Sequence, residues 1–181
     1  LFVGSFRRIK GDQLLLDAYQ QLDNPPPLVM VGGSGPEPLP NLPAGVTRLI
    51  DVSHETVMAI WDRALFGVCP SVVAESFGNA VHEGMSRGKA VIGTRPSGHE
   101  DMLEHQRTGL LIPRGDLHEL VAALRFLIEN ARAREEMGRR AKKQALRFTA
   151  TAVVPELEAL LYEVGGKPDH SQTGVLADRT A

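Results

Sequence analysis

The sequence predicts an α/β fold: a doubly wound parallel sheet of about six strands flanked by helices. Two observations predict it. Short apolar runs rich in Val, Ile or Leu recur along the chain, each bounded by Gly or Pro, and stretches of helical spacing separate them. The runs are continuous rather than alternating, which is the pattern of strands buried on both faces. Strand and helix taken in turn then build a parallel sheet with helical crossovers.

The elements follow in order. Leu1–Gly4 is the first strand. From Gly11 to Leu22, a stripe of Leu14, Leu15, Ala18, Tyr19 and Leu22 marks a helix. Leu28–Gly32 is the second strand and Thr47–Ile50 the third. Between these two, Pro36, Pro38, Pro40 and Pro43 forbid a regular helix, so a loop makes that crossover. Ser53 is an N-cap for a helix carrying Val57, Ile60, Trp61 and Ala64. Leu65–Pro70 is the fourth strand, and a turn at Ser76–Gly78 leads into a further helix. Ala90–Thr94 and Leu110–Pro113 complete the set of strands. Asp116 and Glu119 resemble a capping box opening a helix through Leu120, Leu124 and Leu127. Three helical stretches run in series from there to about Val164. Residues 165–181 are polar and aperiodic and are expected to form a disordered tail. The domain is thus assigned to 1–164, as a Rossmann-like unit.

Composition narrows the function classes. With 181 residues, the chain can bury a core without disulfide or metal staples. A net charge of −2 leaves no global electrostatic footprint for nucleic acid. The single cysteine, Cys69, excludes an intramolecular disulfide and a cysteine zinc cluster, and reads as an inert small hydrophobe. His82, His99 and His105 lack ligand spacing, so no metal site is expected. No apolar run approaches the roughly 20 residues of a membrane span, and a cytoplasmic location is expected. Leu1 opens the chain directly inside a strand-like run, without a basic stretch and longer apolar segment before it. The expectation is that another domain precedes it.

In an open parallel sheet, ligands bind at the carboxyl ends of the strands. Three loops lie there. Gly4-Ser5-Phe6-Arg7-Arg8-Ile9-Lys10-Gly11 carries three cations between a strand and a helix. Glycine and a helix N-terminus there suit an anion such as phosphate; a solvated turn with ordinary surface cations fits equally. Gly32-Gly33-Ser34-Gly35-Pro36 lacks the G-x-G-x-x-G spacing and reads as a flexible strand exit or a ligand contact. The third loop holds Glu75 before a helix and Glu83 five residues beyond Gly78, about 7–8 Å along the axis. Two such carboxylates suit hydroxyls at opposite ends of an extended polar ligand, with the Phe77, Gly78 and Asn79 amides facing an anion between them. Two unrelated surface glutamates fit the same spacing. Gly84-Met85-Ser86-Arg87-Gly88-Lys89-Ala90 is not a P-loop: it has three residues between its glycines rather than four, and Ala90 at the Ser/Thr position. Trp61 reads as core.

These segments also resemble a known family. Pro70-Ser71, Glu75-Ser76-Phe77-Gly78, Glu83-Gly84-Met85, Gly88 and Ala90-Val91-Ile92 are similar to the signature of retaining GT-B glycosyltransferases, E-x-F-G-x-x-x-x-E-A-M-A-x-G. Leu1–Gly11, Val31–Pro36 and Thr108–Asp116 resemble further segments of the same family, in the same order.

The resemblance implies one half of a GT-B fold, the C-terminal donor-binding domain. It implies a metal-independent, retaining transfer of sugar from a nucleotide-diphosphate sugar to an acceptor hydroxyl, with no cofactor. By resemblance, the catalytic residues are Glu75, which would hydrogen-bond the transferred sugar, and Lys10, which would neutralise the departing diphosphate. Gly4, Ser5, Ser76, Phe77, Gly78, Asn79 and Glu83 would bind the donor, Glu83 at the ribose hydroxyls. Ser5 stands where the family commonly has arginine, so Arg7 or Arg8 would supply that cation. The acceptor, whether glycan, lipid or small molecule, would sit on an N-terminal domain absent from this chain, leaving the isolated domain inactive. The helix 151–164 would cross toward that domain, and its Val153, Val154, Leu157, Leu160 and Leu161 face would otherwise support a dimer. Peripheral membrane association of the full-length enzyme is compatible with this reading, and no nucleic-acid partner is implied. The alternatives are a sugar-nucleotide epimerase, a phosphorylase, or a non-catalytic nucleotide-sugar-binding module.

Overall fold

The computed structural model describes residues 1–33 and 41–165. The chain divides into two compact units, Leu1–Leu146 and Arg147–Ala181. In the first unit, β1 (Phe2–Val3) leads through a 3-10 turn at Arg8–Lys10 into α1 (Asp12–Tyr19). Then come β2 (Leu28–Gly32), β3 (Val46–Ile50), α2 (His54–Arg63), β4 (Gly67–Val68) and α3 (Asn79–Ser86). They are followed by β5 (Val91–Arg95), α4 (His99–Met102), β6 (Gly109–Pro113), α5 (Leu117–Glu129) and α6 (Ala131–Ala145).

All strand pairs are parallel, in two three-stranded ladders of order β1-β2-β3 and β4-β5-β6. The sequence predicted about six strands in one sheet; the strands are all present, but the ladder is interrupted between β1 and β4. Two backbone hydrogen bonds bridge that seam, Val68 N–H to Leu1 O at 2.9 Å and Leu1 N–H to Phe66 O at 3.0 Å. Placed side by side across it, the strands read 3-2-1-4-5-6, the order of dinucleotide-binding sheets, with its reversal point between β1 and β4.

Burial on both faces holds for β5, where Val91–Thr94 are all buried, and for β6 from Gly109 to Ile112. It fails at β3. This edge strand leaves Thr47 and Ile50 exposed. The crossover before it has no helix in its described part, 41–45, to lie over it. The prolines at 36, 38 and 40 and the loop residues Ser34–Pro36 lie outside the described residues. Between sheet and helices the core gathers Phe2, Leu15, Leu16, Met30, Val68, Ile92, Leu120, Leu124 and Leu127.

Local signals decide where helices start. Ser53 Oγ accepts from Thr56 N–H at 3.2 Å, and Asp116 Oδ1 accepts from Glu119 N–H at 2.9 Å. Gly11 caps α1 with φ +76, a left-handed conformation that favours glycine. A Cβ there would lie 2.0 Å from Pro70 O, so this glycine also lets the β1–α1 turn touch the end of β4. The short helix α4 has no counterpart in the sequence reading; four residues are too few to show a period.

In the second unit, α7 (Ala150–Gly165) contains Pro155 and leaves Val153, Val154, Leu157, Leu160 and Leu161 exposed. The tail from residue 166 onward lies outside the described residues. No helix among the described residues is long and apolar enough to cross a membrane.

Asp116→Ala should lower the unfolding free energy by about 1 kcal/mol through the lost cap. Gly11→Ala should cost about 3 kcal/mol, combining left-handed strain with a backbone collision. Urea titration of the two variants checks this; equal losses would contradict the close approach at Gly11.

Candidate active site

A cleft of about 350 Å³ opens at the carboxyl ends of β1 and β4, at the reversal point of the strand order. Its walls include Gly4, Ser5, Lys10, Glu75, Ser76, Phe77, Gly78, Asn79 and Glu83, so residues 70 positions apart in sequence meet in one place. A second cavity, of about 440 Å³, lies at the opposite ends of β1, β2 and β4. It is larger, but Leu15, Leu22, Leu28, Leu49 and Leu65 dominate its walls. The paired polar groups belong to the smaller cleft.

The cleft is built by backbone contacts between loops. Val72 N–H donates to Ile9 O at 2.9 Å, tying the β4 exit to the turn after β1. Gly98 N–H donates to Glu75 O at 2.8 Å, tying the β5–α4 connection to the same loop. These ties bring Lys10 and Glu75 together. Lys10 Nζ donates to both Glu75 carboxylate oxygens, at 2.6 and 2.8 Å. Ser71 Oγ donates to Glu75 Oε1 at 2.5 Å. Burial alone would raise the Glu75 carboxyl, but the hydrogen bonds from Lys10 and Ser71 and the nearby positive charge outweigh it, and the net shift is downward.

Gly78 precedes α3 with φ +92, again a glycine conformation, and together with Asn79, Ala80 and Val81 of the first turn of α3 it lines the cleft. A Cβ on Gly78 would also meet the His99 ring, 2.7 Å from Nε2. His99 is 1% exposed, and its Nδ1 accepts from Thr94 N–H at 3.0 Å. An accepting Nδ1 in a neutral ring leaves the proton on Nε2, at the cleft floor. Burial drives the His99 pKa below its ordinary value, partly opposed by Glu75. Glu83, on α3, accepts from Trp61 Nε1–H at 3.2 Å, and its other oxygen lies 3.8 Å from His54 Nδ1.

Arg7 and Arg8 are exposed and are not among the cleft-lining residues. Cys69 is buried in the cleft wall, and burial pushes its thiol up to about 12, as expected of an inert hydrophobe. The sequence reading missed Ser71 and His99 as site residues, and missed that Trp61 has a polar partner. Ser71 was within reach: it sits four residues before Glu75 in the same motif. Nothing local signals the partnership of Trp61 with a glutamate 22 positions away. Among the described residues, no group of three or more His, Cys, Asp or Glu is placed to hold a metal ion. The cleft walls bring together a cation, a fixed carboxylate, a buried imidazole and the first turn of α3.

Known proteins resemble this chain in sequence and in fold. The pattern of the family described as glycosyl transferases group 1 matches residues 1–130. The D-rhamnosyltransferase WbpZ of Pseudomonas aeruginosa is 34% identical over 151 residues, covering 78% of this chain and 39% of that protein. Anabaena HepE, solved in complex with UDP and glucose, superposes with a TM-score of 0.78 at 21% identity, covering 90% of this chain and 48% of that one. The C-terminal domain of the group 1 glycosyl transferase LpcC from Francisella tularensis gives a TM-score of 0.66 at 21% identity, covering 80% of this chain and 84% of that one. The chain thus spans less than half the length of the full-length proteins it resembles, and close to the whole of a C-terminal domain. This chain belongs to the group 1 glycosyl transferases and has the fold of a GT-B domain.

Proposed function

We propose that this domain binds the nucleotide-diphosphate sugar for a retaining, metal-independent glycosyltransferase, whose acceptor site lies on another domain. The observation that carries the reading is the Lys10–Glu75–Ser71 cluster beside the first turn of α3, at the reversal point of the sheet. A lysine ammonium has three donors, and two of them rest on Glu75. The third serves a diphosphate oxygen, and the amides of α3 complete the anion site. Charge that develops on the departing diphosphate then meets a fixed cation, which lowers the barrier without a metal. Glu75, held ionised by Lys10 and Ser71, accepts hydroxyls of the transferred sugar, and Glu83 accepts those of the ribose. Phe77, Gly78 and Asn79 contribute backbone amides, and Gly4 and Ser5 form the opposite wall. Retention follows when the acceptor hydroxyl attacks the anomeric carbon from the face that the diphosphate leaves. HepE's complexes with UDP and glucose support a nucleotide sugar as the ligand class.

A thermal-shift panel of UDP-, GDP- and ADP-sugars checks the ligand. At a hundredfold excess over Kd, the matching donor should raise the melting temperature by roughly 5–10 °C. Absence of any shift across the panel would contradict the reading. Lys10→Met should weaken nucleoside diphosphate binding about tenfold while sparing the corresponding nucleoside. Glu75→Gln should keep the diphosphate affinity and lose the preference for the nucleotide sugar over it. Calorimetric titration measures both.

Stability should also rise with pH through two groups. The folded pKa of Glu75 is lowered, so its contribution is present above the ordinary carboxylate pKa and is lost as pH falls through the folded value. His99 is also lowered, so below about pH 6.5 the unfolded chain takes up its proton first and stability drops. His99→Gln should flatten the urea midpoint between pH 6.5 and 5; an unchanged slope would contradict the buried neutral ring.

A further inference from the structure

Trp61 is fully buried, yet it does more than fill the core. Its indole Nε1–H reaches Glu83 Oε2 at 3.2 Å. The far edge of the same ring sits in a slot made by two glycines. A Cβ on Gly67 of β4 would lie 2.4 Å from Trp61 Cη2, and one on Gly84 of α3 would lie 2.8 Å from it. Gly84 directly follows Glu83 and stands where the family signature has alanine. The glycines and the tryptophan therefore fit as one unit: without both Cβ atoms missing, the indole could not lie where its N–H meets the carboxylate. His54, the other neighbour of Glu83, is 73% exposed and 3.8 Å away, too loose to fix an orientation.

We propose that Trp61 is a positioning residue for ribose recognition: the indole, seated against Gly67 and Gly84, fixes the Glu83 carboxylate so that it receives the vicinal hydroxyls of the donor ribose. This rests on the reading that Glu83 is the ribose acceptor. A carboxylate has about four lone-pair sites. One taken by the indole N–H sets the plane of the group and leaves the others for two adjacent hydroxyls. A freely rotating carboxylate would lose orientational freedom on binding each ligand; this one is ordered beforehand.

The test compares UDP, ADP and GDP with their 2′,3′-dideoxy counterparts by calorimetry on the 181-residue chain. The readout is the ratio of dideoxy Kd to ribose Kd for whichever base binds. Trp61→Phe keeps a ring in the slot and removes the donor; it should lower the ratio about tenfold while leaving dideoxy affinity unchanged. Glu83→Gln separates the role of the carboxylate from that of the indole. If Glu83→Gln keeps the native ratio, the ribose reading fails and takes this inference with it. If Glu83→Gln loses the ratio and Trp61→Phe keeps it, the ribose reading stands and the role of Trp61 is overturned. A measurement on the unmodified chain guards against a variant that does not fold. Trp61 is the chain's one tryptophan, so the chain has one indole N–H resonance. The ribonucleotide should shift that resonance and its dideoxy counterpart should not. Equal shifts from the two, or none from either, would overturn the proposal.

Discussion

The site depends on one close approach, between Gly11 and Pro70. The turn after β1 and the exit from β4 come from segments nearly sixty residues apart, and their ladder is interrupted at the seam. What joins them is backbone touching backbone. Gly11 lacks the Cβ that would collide with Pro70 O, and Ile9 O accepts from Val72 N–H on the other side of the contact. This contact places Lys10 against Glu75.

Electrostatics then divides the labour among groups that composition alone cannot distinguish. Glu75 and Glu83 line one cleft, but their surroundings differ. Glu75 is held by a cation and a hydroxyl, which keep it ionised and fix it in the cleft wall. Glu83 meets an indole N–H, a neutral donor that orients it without offering a full charge. His99, buried and neutral, adds a donor to the cleft floor without adding a second cation near Lys10.

The fold was legible because its strands are apolar runs punctuated by glycine and proline, and its helices begin at Ser53 and Asp116, residues that cap by their own chemistry. The third loop was legible because the residues that line the cleft are packed into a short, motif-dense stretch. What could not be read is set by distance in sequence. The seam between β1 and β4, the tie from Gly98 to Glu75, and the indole of Trp61 on Glu83 all join segments separated by twenty or more residues, with no periodic signal. The first loop illustrates the limit within a single segment: three cations follow Gly4, and the 3-10 turn delivers Lys10 to the cleft while Arg7 and Arg8 stay exposed. Burial of β3 was overestimated because an apolar run reads alike at the centre and at the edge of a sheet.

The central claim is that the cleft at the sheet's reversal point is a nucleotide-sugar site organised by Lys10, Glu75 and the start of α3. A crystal structure of the chain with bound nucleoside diphosphate tests it most directly. The account predicts a phosphate oxygen within hydrogen-bond distance of Lys10 Nζ, the other phosphate oxygens at the first-turn amides of α3, and the ribose hydroxyls on Glu83. A diphosphate bound elsewhere, with Lys10 still paired only to Glu75 and the cleft unoccupied, would contradict it.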